Sequence, residues 1–221
     1  MTPHYLQSIC PEVSPHIRQA IAQSLDRTGI DMHTCPEQLQ FYRWLIHTMN
    51  IQNVLEIGTF TGITSLYIAE SLPASGHITT IDRSPDFTKL AQQLWQTHDL
   101  QDKVTLLNDD ASSTLTRLCN DNAQYDMVIV DANKMMQHAY YEHALKLTKS
   151  RGIILIDNTY FHGLAEQYAH NSLPEPTSSH QRHLHKYASH IHQFNAFVRE
   201  DPRVIISCLP LGDGLTCATK I

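Results

Sequence analysis

From Asn53 onward, short unbroken apolar runs alternate with longer stretches of helical period. NVLEI (53–57), HITTI (77–81), VTLLN (104–108), YDMVIV (125–130) and GIILI (152–156) read as strands, with helices over 63–71, 85–98, 112–119 and 137–149. The strands are continuously apolar rather than alternating, the pattern of parallel strands covered on both faces. Such alternation predicts an α/β fold with right-handed crossovers.

The two ends read differently. SPHIRQAIAQSL has Ser14 before Pro15 and places Ile17, Ala20, Ile21 and Leu25 on one face. A second helix begins at TCPE, where Thr34 and Glu37 have capping-box spacing, and repeats Leu39, Tyr42, Leu45, Ile46 and Met49. Past a polar loop around NSLPEPTSS, a helix carries Tyr187, Ile191, Phe194 and Val198 on one face. RVIISCLP and LTCATKI flank the turn LGDG and should pair antiparallel. With no linker, repeat or low-complexity block, residues 1–221 read as one domain.

Composition narrows the function classes. A chain of 221 residues, 42% hydrophobic and 17% charged, can bury a full core. A net charge of −6 gives no general basic footprint for nucleic acid or anionic membrane. No secretory signal is recognisable at MTPHYLQSICPEVSPHIRQ, and no apolar run approaches the ~20 residues of a membrane span. Cys10, Cys35, Cys119, Cys208 and Cys217 show no C-x-x-C spacing and read as reduced thiols of a cytoplasmic protein.

The first strand runs into a glycine loop, LEIGTFTG, and the second ends at Asp82, 24 residues after Gly58. That offset is near the ~20 residues expected for an acid that binds ribose hydroxyls. A dinucleotide loop needs a second glycine for close approach to a pyrophosphate, and Phe60 stands there. S-adenosylmethionine, with adenosine and no pyrophosphate, tolerates the bulkier loop. The bland alternative is a tight strand–helix turn with an unrelated acid downstream.

Two other strands end in oxygen ligands. Parallel neighbours ending on one edge would set Asp131 beside Asp157 and Asn158. Two carboxylates and an amide oxygen make a hard, incomplete shell that suits Mg²⁺, Mn²⁺ or Ca²⁺ and suits zinc poorly. Alternatively, Asp157 and Asn158 cap a turn and Lys134 is a solvated helix-start residue.

VLEIGTFTGITSLYIAESLP, TTID, YDMVIVDANK, LIDNT and DPRVIISCLPLGDGLT together resemble the cation-dependent class I O-methyltransferases, the caffeoyl-CoA and catechol O-methyltransferase family. The resemblance runs from about Met32 to the C-terminus, apart from a divergent loop at 163–190. It implies a Rossmann-like fold with a seven-stranded, mostly parallel sheet whose last strand is antiparallel, and helices on both faces. Residues 1–50 would be helices covering the cofactor and substrate site. Asp82 would take the ribose hydroxyls of S-adenosylmethionine and Ala111 would lie by the adenine. Thr34, Glu56, Gly58 and Thr64 would hold the methionine end, with Asp131 and Asn133 as further cofactor contacts. Asp131, Asp157 and Asn158 match the family's metal ligands, so Asp131 is also placed in the chemistry. Lys134 matches the general base of the catechol branch, for which it must be neutral, a state favoured by a nearby cation and by burial. Two adjacent hydroxyls can chelate one cation, so the implied acceptor is a small phenolic of the catechol kind, and a homodimer is expected.

The chain also departs from the family. Asn133 stands where the family often has Asp, and His138 where it has a tyrosine, with Tyr141 retained. His162 replaces a substrate-contacting Asn of the plant enzymes, and Phe161 and Tyr160 are candidate substrate-lining aromatics. Residues 162–192 hold seven of the 15 histidines. His183 and His190, like His185 and His192, are seven apart on shared helix faces, a spacing that could make a transition-metal or pH-responsive face, or a solvated helix. No N-terminal lysine matches the one that meets acyl-CoA, which favours a small free catechol. The competing functions are a tRNA hydroxyuridine O-methyltransferase, a non-catalytic S-adenosylmethionine-binding protein and an NAD-dependent dehydrogenase.

Overall fold

A computed structural model describes residue 9, residues 12–30 and residues 32–221 of the chain; Cys10 lies outside the described residues. The chain divides into two compact units, Met1–Asp110 and Ala111–Ile221.

The first unit contains helices α1 (Pro15–Thr28), α2 (Pro36–Met49), α3 (Ile63–Ser71) and α4 (Pro85–Thr97), and strands β1 (Asn53–Ile57), β2 (His77–Ile81) and β3 (Val104–Leu107). The strands lie in the order β3-β2-β1, all parallel. Helices α1, α2 and α4 each begin with a proline, whose fixed φ and missing N–H suit the first helical position. Helix α3 packs against α1, α2, α4 and β2 and is buried almost all round.

Two details differ from the amphipathic reading. Proline at the start of α2 makes Cys35 the capping residue, so Thr34 is no cap; its hydroxyl meets the Thr64 hydroxyl at 2.8 Å. In α1 the expected Leu25 is exposed and Ser24 is buried instead. Ser24 donates to the Thr61 hydroxyl (2.7 Å) and meets His33 Nε2 at 2.8 Å. A satisfied hydroxyl can be buried where hydropathy alone would place a leucine.

The second unit contains α5 (Ala111–Asn120), β4 (Tyr125–Val130), α6 (Gln137–Leu147), β5 (Thr148–Asp157), α7 (Leu164–Ala169), α8 (Ser179–Arg199), β6 (Val204–Leu209) and β7 (Leu215–Lys220). The order is β4-β5-β7-β6, with β4 and β5 parallel and β7 antiparallel to both its neighbours. Strand β5 starts four residues before the apolar run, at Thr148 rather than Gly152. Arg151 in the left-handed region (φ 63°) and a register shift opposite Tyr125/Met127 bridge the two parts. Part of the divergent loop is the short helix α7, which packs with α8 around Phe161, Ala165, Ala188 and Ile191. Ser178 caps α8 by accepting from Gln181 N at 3.1 Å.

A polar knot ties β6 to α6. Tyr141, fully buried, donates to Asp201 Oδ2 (3.0 Å). Arg203 donates to both Asp201 oxygens (2.8 and 2.7 Å) and to both Glu142 oxygens (2.9 and 2.7 Å). These bonds, led by those from Arg203, hold the Asp201 carboxyl down to about 2, while burial first and the Asp201 bond second push the Tyr141 phenol up. Among the described residues no helix is long and apolar enough to cross a membrane.

Replacing Arg203 with Met would take the cation away from the Asp201 carboxylate, at a cost of about 1–2 kcal/mol near neutral pH because the guanidinium is half exposed, read by urea unfolding. A lowered carboxyl pKa stabilises the fold above the unfolded value of about 3.9 and loses that contribution as the pH falls through the folded value. The gap between wild type and variant should therefore close between about pH 4 and pH 2.

Candidate active site

The first set of candidate residues surrounds the loop after β1. Gly58 (φ 104°), Phe60 (φ 49°) and Gly62 (φ 80°) all have positive φ. Asp82, just past β2, holds this loop in place. Its Oδ2 accepts from the backbone N–H groups of Thr59 (3.1 Å) and Phe60 (2.9 Å), and its Oδ1 accepts from Ser84 N (2.9 Å). Phe60 thus takes a backbone conformation that glycine usually supplies, and its ring packs edge-on against Phe87 at 4.7 Å. Gly62 cannot carry a side chain: an added Cβ would lie 2.6 Å from Ala91 Cβ, and its carbonyl accepts from Trp95 Nε1 at 3.0 Å.

Glu56 is buried at 2% exposure, and its Oε2 accepts from the Ser65 and Thr80 hydroxyls. The Thr34–Thr64 hydroxyl pair closes the group. The structure thus places Thr34, Glu56, Gly58, Thr64 and Asp82 in one unit, around the polar loop that follows β1. Ala111 is the first residue of α5 in the other unit.

The second set, in the other unit, follows from register. Val130 pairs with Ile156 in the parallel β4–β5 ladder, so Asp131 and Asp157 are the next residues along adjacent strands, roughly 5 Å apart. Lys134 Nζ donates to Asp131 Oδ1 at 3.0 Å, with the lysine side chain only 14% exposed. Asn133 caps the Lys134–Met136 turn by accepting from Met135 N (3.1 Å), a structural use of the residue assigned to the cofactor. Among the described residues, no three His, Cys, Asp or Glu side chains converge as a metal site. The set at these strand ends is of another kind, two carboxylates and one amide.

Sequence reasoning missed Asp213, in the turn between β6 and β7. Asn158 stands in the left-handed region (φ 61°) and donates from Nδ2 to Asp213 Oδ2 at 3.0 Å. Asp213 Oδ1 accepts from His162 N at 2.6 Å. With its nitrogen engaged, Asn158 has its carbonyl oxygen left for a cation, which fits the all-oxygen set. Only Asp213's place in a Gly-Asp-Gly turn gave a signal, and it was read as turn chemistry.

The segment after Asn158 divides the expected substrate residues. Phe161 (8% exposed) packs in the α7–α8 cluster and edge-on against Tyr187 at 6.0 Å. His162 is exposed, and Tyr160 is half exposed with its hydroxyl donating to Glu166 at 3.1 Å. Asn195 on α8 donates to Thr159 O at 2.8 Å, holding the segment from a second side. The helix-face histidines are spread out, with His183 against Tyr187 and His192 against Tyr168.

A family model described as O-methyltransferase matches residues 7–221. The chain is 34% identical over 184 residues to a caffeoyl-CoA O-methyltransferase of Populus kitakamiensis, covering 82% of this chain and 75% of that protein. It is 30% identical over 220 residues to catechol O-methyltransferase domain-containing protein 1 of Mus musculus, covering 98% and 79% respectively. A solved SAH-bound methyltransferase of Podospora anserina superposes with a TM-score of 0.87 at 23% identity, over 99% of this chain and 93% of that one. That likeness shows the fold, the class I methyltransferase fold with a seven-stranded, mostly parallel sheet and an antiparallel strand.

Gly62→Ala should lower the melting temperature and weaken S-adenosylmethionine binding in calorimetry, since it adds left-handed strain of about 1–2 kcal/mol to an overpacking cost of about 1–3 kcal/mol. Asp82→Ala should abolish detectable cofactor binding. Unchanged binding in that variant would remove Asp82 from the cofactor contacts.

Proposed function

The chain belongs to the O-methyltransferase family, and from that premise we propose that it transfers a methyl group from S-adenosylmethionine to one hydroxyl of a small vicinal-dihydroxy aromatic, held on a divalent cation. The observation that carries this reading is the register of β4 and β5, which levels Asp131 with Asp157 and leads directly into Asn158. Asp131, Asp157 and the carbonyl oxygen of Asn158 would hold the cation. When bound, it supplies the positive charge that draws two neighbouring hydroxyl oxygens together and favours loss of a proton from one of them.

Lys134, whose nitrogen lies 3.0 Å from Asp131, would receive that proton as a neutral amine, having first given up its own. In the transfer, the acceptor oxygen forms a bond to the methyl carbon as the carbon–sulfur bond breaks, leaving S-adenosylhomocysteine. Orientation and exclusion of water govern such a displacement. Asp82, Glu56, Thr34 and Thr64 would serve that step by holding the two ends of the methyl donor, and Ala111 by lining the adenine.

A caffeoyl-CoA thioester is the second acceptor class, supported by the names of relatives such as the Populus protein. Against it stands the basic inventory near the N-terminus. Arg18, one of two bases before Met32, is engaged with Glu12 and with Val13 O.

Methyl transfer from labelled S-adenosylmethionine to a catechol panel should occur with Mg²⁺ and vanish with excess chelator. Transfer that survives chelation would remove Asp131, Asp157 and Asn158 from these roles. Lys134→Met should lower kcat by about 10²–10⁴-fold with little change in KM for the catechol.

A further inference from the structure

We infer that Asp213 is a positioning residue that decides which atom of Asn158 faces the cation, an inference that rests on the metal reading above. An asparagine amide is nearly symmetric in shape, with an acceptor at one end and donors at the other. Nothing in the residue itself selects the end that points at a ligand. An ionised carboxylate only accepts, so Asp213, 3.0 Å from Asn158 Nδ2, admits the nitrogen and excludes the oxygen. The carbonyl oxygen is thereby turned to the other side, the orientation that a hard cation requires.

Asp213 is itself fixed. Its other oxygen takes His162 N at 2.6 Å, and its backbone carbonyl takes Tyr160 N at 2.9 Å. The next residue, Gly214, accepts from Thr159 N at 2.9 Å. A Cβ on Gly214 would lie 2.9 Å from Tyr160 N, and its φ is +83°, so the contact needs glycine there. The Asp213 side chain is 16% exposed, which limits competition from water. The turn between β6 and β7 therefore works as a latch on the residues that follow β5.

The test uses Mn²⁺ titrations of the full chain followed by electron paramagnetic resonance of free Mn²⁺. Asp213→Ala should weaken binding by about 10–100-fold, the usual consequence of removing a group that orients a ligand. The exchanged pair, Asn158→Asp with Asp213→Asn, conserves charge. Its new amide can donate to position 158 and still accept from His162 N, so binding should return to within about threefold of wild type. Loss of the Asn158 side-chain NH₂ resonances from slow proton exchange in Asp213→Ala would report the broken bond without metal. Mn²⁺ binding by Asp213→Ala within about twofold of wild type overturns the inference. So does an exchanged pair as weak as the single variant while its melting temperature is unchanged. A wild-type chain that binds no Mn²⁺ overturns this inference and the metal reading together, whereas a wild type that binds and an indifferent Asp213→Ala sinks this inference alone.

Discussion

Parallel pairing of Met127–Val130 with Ile153–Ile156 in one register is the constraint on which the Asp131–Asp157 edge depends. Met127–Val130 and Ile153–Ile156 are buried on both faces, so their alignment is enforced by packing along the whole ladder. A slip of one residue would move every side chain to the opposite face. Two carboxylates at the same level on neighbouring strands repel each other, and nothing local would choose that arrangement. The apolar segments before them impose it. A lysine three residues beyond one carboxylate and an amide directly after the other then complete a polar edge on an otherwise apolar ladder.

The two sets of candidate residues, one in each unit, share a construction. In each, an acid from a different part of the same unit accepts backbone N–H groups from a loop of left-handed residues. Asp82 does so for Thr59 and Phe60, and Asp213 does so for His162 while holding the Asn158 side chain. Left-handed backbone at Phe60, Asn158, Phe161 and His162 costs about 1–3 kcal/mol per residue and persists only where surrounding bonds over-determine it. Strain therefore collects in the loops after β1 and β5, and carboxylates are what hold it there.

The strands were legible because each is a run of apolar residues bounded by turn signals, and the ends of those runs exposed Asp82, Asp131 and Asp157. The misreadings were local. Thr34 looked like a cap until Pro36 set the helix start one residue later, and Leu25 looked buried because Ser24 had no visible partner in the sequence. Strand β5 began before its apolar run because backbone pairing of Thr148 with Tyr125 needs no apolar side chain. Asp213 was illegible for a different reason. Its role exists only through Asn158, 55 positions away, and periodicity carries no information at that range. The α7–α8 cluster that surrounds the Phe161 ring became visible only in the fold.

The 55 positions between Asn158 and Asp213 also have a meaning in time. At the usual ~5–20 residues per second, a ribosome needs roughly 3–11 seconds to travel from one to the other. Throughout that interval β5 can already lie against β4, yet the turn that latches its end has not been made, and β7 must still enter between β5 and β6. Synthesis thus delivers the residues of that edge well before the turn that latches them. Until Asp213 emerges, the residues that follow β5 lack the hydrogen bonds it supplies.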